Sequence, residues 1–190
     1  VIGVWPPVLE DDLVQLRPID SGDRDAVFHV LSTDQEISRW TRIPWPYERS
    51  HLDQFFGLVT AWHRARTDAV FAVRAADDGQ LLGCLGAHRI GGRWRARSGF
   101  LPDEPGYWLA DAARGRGLMT ASLRLACRWM LVDLGRPQVN IQTKVGNVAS
   151  RAVIERVGFR FTETVLANEI DDDPMPVDHD RFVLTAAELR

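Results

Sequence analysis

Between Gly106 and Asp133 a strand-like run, a turn holding two glycines and a long amphipathic stretch follow one another, and this succession constrains the fold more than any other feature. Gly106 to Ala110 reads as a short strand and Arg114-Gly115-Arg116-Gly117 as the turn, and a helix begins near Leu118 and ends near Asp133, stopped by Gly135 and Pro137. Leu118, Ala121, Leu125, Trp129 and Val132 form one apolar row at helical spacing, and Met119, Leu123, Ala126 and Met130 form the next. Thr120, Arg124 and Arg128 line the polar side. The first amides of such a helix lack partners within it, and the aligned peptide dipoles add positive potential there. Glycines let an anion approach the main chain, so this turn suits a pyrophosphate, with Arg114 and Arg116 at its rim. A purely structural turn explains Gly-x-Gly before a helix equally well. The Walker pattern is excluded because no Gly-Lys-Ser/Thr follows, and the dinucleotide fingerprint lacks its third glycine.

A second stretch, Asn147 to Phe159, places Asn147 and Ser150 three apart at a helix start. Read alone, Asn147 is an N-cap, Ser150 a first-turn polar residue and Gly158 a C-terminal cap. Before these stretches, Leu13 to Ile19 reads as a first strand and Asp23 to Ser32 as a helix. Ser50 caps a second helix carrying Leu52, Phe55, Phe56, Val59 and Trp62. Val70 to Ala75 and Leu81 to Ile90 form a hairpin around Asp77-Asp78-Gly79. Val139, Ile141, Thr143 and Val145 alternate with Asn140, Gln142 and Lys144, as in a strand with one buried face. Phe159 to Leu166 and Arg181 to Thr185 close the chain as strands. The order β-α-α-β-β-β-α-β-α-β-β is that of an α/β sheet with helices on its faces.

Composition narrows the function. The 190 residues suit a single domain, 1–190, with 45% hydrophobic and 26% charged residues, as in ordinary globular proteins. No apolar run reaches the length of a membrane span, and Val1 to Pro7 does not read as a signal peptide. Cys84 and Cys127 lie in apolar segments without a Cys or His at ligand spacing; buried thiols in a reducing cytoplasm are expected, and no metal. A net charge of -3 argues against nucleic acid as the main partner. Charge is uneven: Arg89, Arg93, Arg95 and Arg97 crowd one loop, and Glu169, Asp171, Asp172, Asp173, Asp178 and Asp180 another.

Taken together the two stretches resemble the GNAT N-acetyltransferase superfamily, and within it the Rim-type branch that acetylates ribosomal-protein N-termini. The resemblance rests on Gly106-Tyr107-Trp108-Leu109, Arg114-Gly115-Arg116-Gly117-Leu118-Met119-Thr120, Asn147 with Ser150, and Gly158-Phe159. Leu16-Arg17-Pro18 and Asp180-Arg181-Phe182-Val183-Leu184 match the usual ends of that branch. Met119 departs from the small residue usual there; its apolar neighbours Leu123 and Ala126 suggest that it points into the core.

The resemblance implies a GNAT fold, a mixed central sheet splayed between its fourth and fifth strands (Gly106 to Ala110 and Val139 to Val145), with helices on both faces. It implies acetyl-CoA as co-substrate: the backbone of Trp108 and Leu109 pairs with pantetheine, the amides of Arg114 to Thr120 hold the pyrophosphate, and Asn147 binds the pantetheine arm. A neutral amine attacks the thioester directly. Many relatives supply a tyrosine as acid on the second helix, but Ile154 stands one turn beyond Ser150, leaving Ser150 as the candidate. Glu104 is the candidate base, with Asp103, His88 or a water relay as alternatives. The acceptor is expected to meet the aromatic loop, Trp40, Trp45 and Tyr47, together with Tyr107 and the acidic segment. A protein or peptide N-terminus is the first expectation for the acceptor. A small amine (antibiotic, polyamine or amino acid), a succinyl-CoA-using variant and a non-catalytic acyl-CoA sensor stay open, as does a homodimer.

Overall fold

The computed structural model describes residues 5–90, 101–167 and 177–189. β3 (Ala69–Ala75) shows why the sheet is covered on both sides. Ala69, Phe71 and Val73 enter one core, and Val70 and Ala72 enter the other, so the strand is an unbroken apolar run. Five strands pair antiparallel in the order β1 (Leu9–Glu10), β2 (Val14–Pro18), β3, β4 (Leu81–His88) and β5 (Glu104–Leu109). A second antiparallel sheet holds β6 (Val139–Lys144), β8 (His179–Leu184) and β7 (Arg160–Val165), with β8 in the middle.

The helices α1 (Arg24–Thr33), α2 (Gln35–Trp40) and α3 (Arg49–Ala65) cover the Val70 face. α4 (Leu118–Arg128) and α5 (Val148–Val157) cover the Phe71 face. The short α2 went unread in the sequence, although Asp34 caps it by accepting the Glu36 N–H at 3.1 Å. α3 starts earlier than the Ser50 cap anticipated. Glu48 is its cap residue, its N–H donated to His51 Nδ1 at 3.1 Å, and Ser50 lies inside the first turn.

The expected helix to Asp133 is interrupted as well. α4 ends at Arg128, and Trp129–Asp133 forms a wide π turn. Such a turn shifts the following register, so Leu131 is buried while Val132 is 60% exposed, contrary to its place in the apolar row. Trp129 packs there against Phe71 and Trp5, at centroid distances of 5.7 and 5.2 Å.

The two sheets meet at the base of β5 and β6. Asn140 N–H donates to Asp103 O at 3.2 Å, and Asn140 Nδ2 donates to Pro102 O at 2.7 Å. Arg136 clamps Asp103 with two contacts of 2.9 Å. Both strands run on from this junction in the same direction, which gives the sheet its mixed character, and no ladder joins them beyond it among the described residues. The expected splay is therefore present. It opens the sheet between Tyr107-Trp108-Leu109 on one arm and Lys144 to Ser150 on the other.

Candidate active site

Each arm ends in a helix start. Gly115 and Gly117 adopt φ of 73° and 78°, a backbone region that strains any residue with a Cβ. The first bond within α4 is Ala121 N–H to Gly117 O at 3.1 Å, so the amides of Gly117, Leu118, Met119 and Thr120 precede the helical ladder. On the other arm Asn147 Oδ1 accepts the Ser150 N–H at 3.1 Å, which makes Asn147 the cap of α5 and leaves its Nδ2 to donate elsewhere. A cleft of about 700 Å³ lies between the two starts, lined by Leu109, Gly115, Gly117, Thr120, Asn147 and Ser150 among others.

Within the turn, the residues anticipated from sequence divide by role. Leu118 and Met119 are buried, so they offer the cleft their amides, and Met119 points into the core as its neighbours indicated. Arg114 is engaged by the protein itself. Its Nε donates to Leu109 O at 3.1 Å, and its guanidinium pairs with Asp34 at the start of α2 and with Asp111. Arg116 is exposed and does not line the cleft.

Alternation along β5 separates Trp108 from Leu109. Ala110 N–H bonds Leu82 O at 2.8 Å, and the pairing with β4 runs without a shift from there. Trp108 therefore turns its amide and carbonyl to β4, whereas Tyr107 and Leu109 turn theirs to the gap. The expected Trp108 main-chain contact is corrected on this ground, since its backbone is spent in the ladder and only its side chain can serve the cleft. Leu109 O is held by Arg114, which leaves the Leu109 N–H facing the gap.

Across the gap, Tyr107 Oη lies 3.0 Å from Ser150 Oγ and donates toward Ser150 O at 3.4 Å. Burial pushes the Tyr107 hydroxyl far above its ordinary range, and the Ser150 hydrogen bond only partly opposes this. The hydroxyl is thus kept protonated. Sequence reasoning looked for a tyrosine on the second helix and found Ile154, which is fully buried. A tyrosine hydroxyl reaches Ser150 from the opposite arm, and the parity of Tyr107 along β5, opposite to Glu104 and Trp108, is the available signal.

A second cleft, of about 310 Å³, lies on the α1–α3 side and shares Trp40, Tyr107, Trp108, Asn147 and Ser150 with the first. Glu104 lies in it, 6% exposed, with its Oε2 accepting the Leu101 N–H at 2.6 Å. Burial raises its pKa to about 7, against the lowering influence of the Leu101 N–H, His88, Arg42 and Gln142. Asp103 is tied to Arg136 at the base of the splay, so it is a structural clasp. His88 lines the cleft with its Nδ1 3.0 Å from Asp68 Oδ1. Cys84 also borders it, and burial pushes its thiol up to about 12, which suppresses the thiolate.

The aromatic loop is only partly gathered here. Trp40, at the end of α2, lines both clefts. Trp45 is 41% exposed and lines neither; Tyr47 is core, between Phe28 and His51 at 6.3 and 5.6 Å. These two sequence-based candidates are displaced because the chain folds Tyr47 under α1 and α3. Glu169, Asp171, Asp172, Asp173, Arg93, Arg95 and Arg97 lie outside the described residues. Asp178 accepts the Ala167 N–H at 2.9 Å, and Asp180 pairs with Arg151 at 2.9 Å, so both have structural roles. A feature sequence reasoning missed is the fastening of α2 across the cleft. Asp34 at its start binds Arg114, while Lys144 Nζ at the end of β6 donates to Arg39 O at 2.7 Å and Thr41 O at 3.3 Å. Among the described residues no helix is long and apolar enough to cross a membrane, and no group of His, Cys, Asp and Glu is arranged to hold a metal.

A split sheet flanked by two helix starts, one of them glycine-lined, defines the class. The acetyltransferase (GNAT) domain family matches residues 14–160, and the chain belongs to it. It is thus an acetyltransferase, with acetyl-CoA the family's acyl donor. Its relatives point to the Rim-type branch. Over 150 residues, 77% of each chain, it is 37% identical to YdaF of Bacillus subtilis (strain 168), whose name presents it as a presumed ribosomal N-acetyltransferase. The fold superposes on Mycobacterium smegmatis RimJ in complex with CoA-disulfide, with a TM-score of 0.81 at 24% identity over 97% of this chain and 90% of that one. The spermidine N-acetyltransferase from Vibrio cholerae, in complex with CoA and spermine, gives a TM-score of 0.73 at 18% identity, over 94% of this chain and 98% of that one.

Proposed function

We propose that the enzyme transfers the acetyl group of acetyl-CoA to the α-amine of a protein or peptide N-terminus, by direct attack in a ternary complex. The pyrophosphate sits on the amides of Gly117 to Thr120, where main-chain donors and the α4 dipole meet it. Pantetheine lies in the gap, bonded by the Leu109 N–H and by Asn147, and the thioester carbonyl faces the β5 arm. The amine enters through the smaller cleft, past Trp40 and Trp108. Glu104 takes a proton from it, nitrogen bonds to the acetyl carbon and the carbon–sulfur bond breaks. Ser150, hydrogen-bonded to Tyr107, donates the proton that the departing sulfur needs.

The observation that carries the choice of acceptor is the Glu104 carboxyl, buried in the smaller cleft with a pKa raised to about 7. A base poised close to neutral pH suffices for α-amines, which titrate at ~7.7–8.0 and are partly neutral there, whereas lysine side chains titrate at ~10.4 and stay charged. The ribosomal N-acetyltransferase name of YdaF supports the same acceptor class. The spermidine enzyme among the structural neighbours favours a second reading, a small polyamine acceptor. Free-thiol release with acetyl-CoA and succinyl-CoA, against N-terminal peptides, α-blocked lysine peptides and polyamines, tests the choice. Turnover of the free-α-amine peptides alone is expected; turnover confined to polyamines would replace this reading with the second.

A further inference from the structure

An ammonium loses two protons in becoming an amide, and the departing sulfur takes up only one, so each turnover must deliver a proton out of the acceptor cleft. Glu104 is poorly placed to do this alone, because it is 6% exposed and its Oε2 already accepts the Leu101 N–H. His88 stands directly opposite Glu104 in the β4–β5 pairing, so both side chains rise from the same face of the sheet. Both line the smaller cleft, and the His88 side chain is 27% exposed.

Asp68 determines which nitrogen of His88 is basic. It lies between α3 and β3, buried, and accepts from the Arg89 N–H at 3.3 Å as well as facing His88 Nδ1 at 3.0 Å. Burial alone would raise its pKa, but hydrogen bonds from His88 and Thr67 outweigh that, and the carboxyl is held below its ordinary range. An ionised carboxylate can only accept, so Nδ1 carries the ring hydrogen and Nε2 is the ring's acceptor nitrogen. Gly86 governs where Nε2 goes. A Cβ built on Gly86 would stand 2.4 Å from Nε2, so the imidazole lies across that glycine, which is itself part of the cleft lining. Trp62 holds the ring edge-on at 6.0 Å. The other charged and titratable groups nearby are Glu104 on β5, Arg42 acting on Glu104, His63 on α3 beside Asp68, and Cys84, Lys144 and His179 in the cleft lining.

We infer that His88, oriented by Asp68, is a second proton acceptor of the acceptor cleft, taking at Nε2 one of the two protons that the amine nitrogen loses, directly or through one water. Glu104 takes the other. The carbon–nitrogen bond forms, the carbon–sulfur bond breaks and Ser150 protonates the sulfur; the proton held by Glu104 passes through water to the Ser150 oxygen, and His88 releases its proton to solvent. Asp68 is the positioning residue. The inference rests on the acetyl-transfer reading given above.

Long-range 1H–15N spectra of the full chain, labelled at histidine, test the tautomer without any acceptor. A neutral His88 protonated at Nδ1 is expected, and one protonated at Nε2 overturns the proposal. With acetyl-CoA and the best peptide acceptor, His88→Ala is expected to lower kcat/KM about 10- to 100-fold. The Kd for acetyl-CoA should stay unchanged, and added imidazole should restore part of the rate. An unchanged kcat/KM, or a loss that imidazole leaves untouched, overturns it. Should His88→Ala fail to fold, Asp68→Asn decides by the same two measurements: the tautomer shifts and kcat/KM falls, or the proposal fails. Absence of turnover in the wild-type enzyme would instead overturn the acetyl-transfer reading, and this one with it.

Discussion

The larger cleft is walled by main chain at two helix starts that are each contiguous in sequence, whereas the smaller is walled by side chains arriving from distant elements. Gly115, Gly117 to Thr120 and Asn147 to Ser150 form two short stretches of the first, beside residues of α2 and β5. The second draws Trp40 from α2, Phe55 from α3, His88 from β4, Glu104 from β5 and Gln142 from β6. On the proposed mechanism, donor recognition should be robust to side-chain change but intolerant of a wrong backbone, whereas acceptor chemistry should hinge on buried titratable groups.

The sharpest way to break this contrast is Gly117→Glu. A side chain at φ 78° is strained, and its carboxylate meets the anion head-on. Calorimetry should show acetyl-CoA affinity lowered by about 100-fold or more; retained binding would mean that the diphosphate lies elsewhere. Glu104→Gln probes the other cleft and should leave acetyl-CoA affinity intact while kcat/KM falls by about 100-fold. Its pH behaviour has two opposite signs. The wild-type rate should climb as pH rises through about 7, where the carboxyl ionises, and in the variant only the climb set by the acceptor amine, at about 8, should remain. Stability runs the other way: a raised carboxyl pKa contributes stability that is complete below the ordinary value of 4.5 and lost as pH rises through about 7. Above pH 7 the variant should therefore melt higher than the wild type.

Ser150→Ala and Tyr107→Phe sharpen the comparison at the shared wall. Each should lower kcat about tenfold, and the double variant should be little worse than either, because the two hydroxyls act as one unit. Fully additive losses would separate them. The smallest effect concerns His63, which accepts the Val70 N–H at Nε2, 3.0 Å away, and whose pKa burial lowers from 6.5. A depressed histidine leaves its contribution whole above 6.5 and loses it as pH falls below that value, so denaturant midpoints should decline on acidification toward pH 5. His63→Gln should blunt that decline.

The same contrast explains what could be read before any coordinates. The glycine turn, the α4 rows, the Asn147 cap and the β6 alternation are local patterns with local causes, and each is legible in sequence, although Val145, expected on the buried face, lies past the end of β6 and is exposed. Parity with Gly106 and Trp108 singles out Glu104, which lines the smaller cleft. The Tyr107–Ser150 bond, the Asp68–His88 pair and the fastening of α2 join residues far apart in the chain, and no local periodicity encodes them. The π turn at Trp129 hid for another reason. Val132 continues the apolar row in composition, and only the packing of Trp129 on Phe71 shows where the helix widens. Tyr47 misled in the opposite sense, because an aromatic beside prolines reads as a recognition loop until Phe28 and His51 are seen to enclose it.

Because both clefts open onto the Tyr107–Ser150 contact, the fissure between β5 and β6 works as a keyhole. A ligand joining the coenzyme's sulfur to an acceptor nitrogen through a short tether would occupy both sides at once. Its two halves would raise each other's local concentration, so its affinity should far exceed that of either piece. Lengthening the tether would then gauge the depth of the fissure in solution.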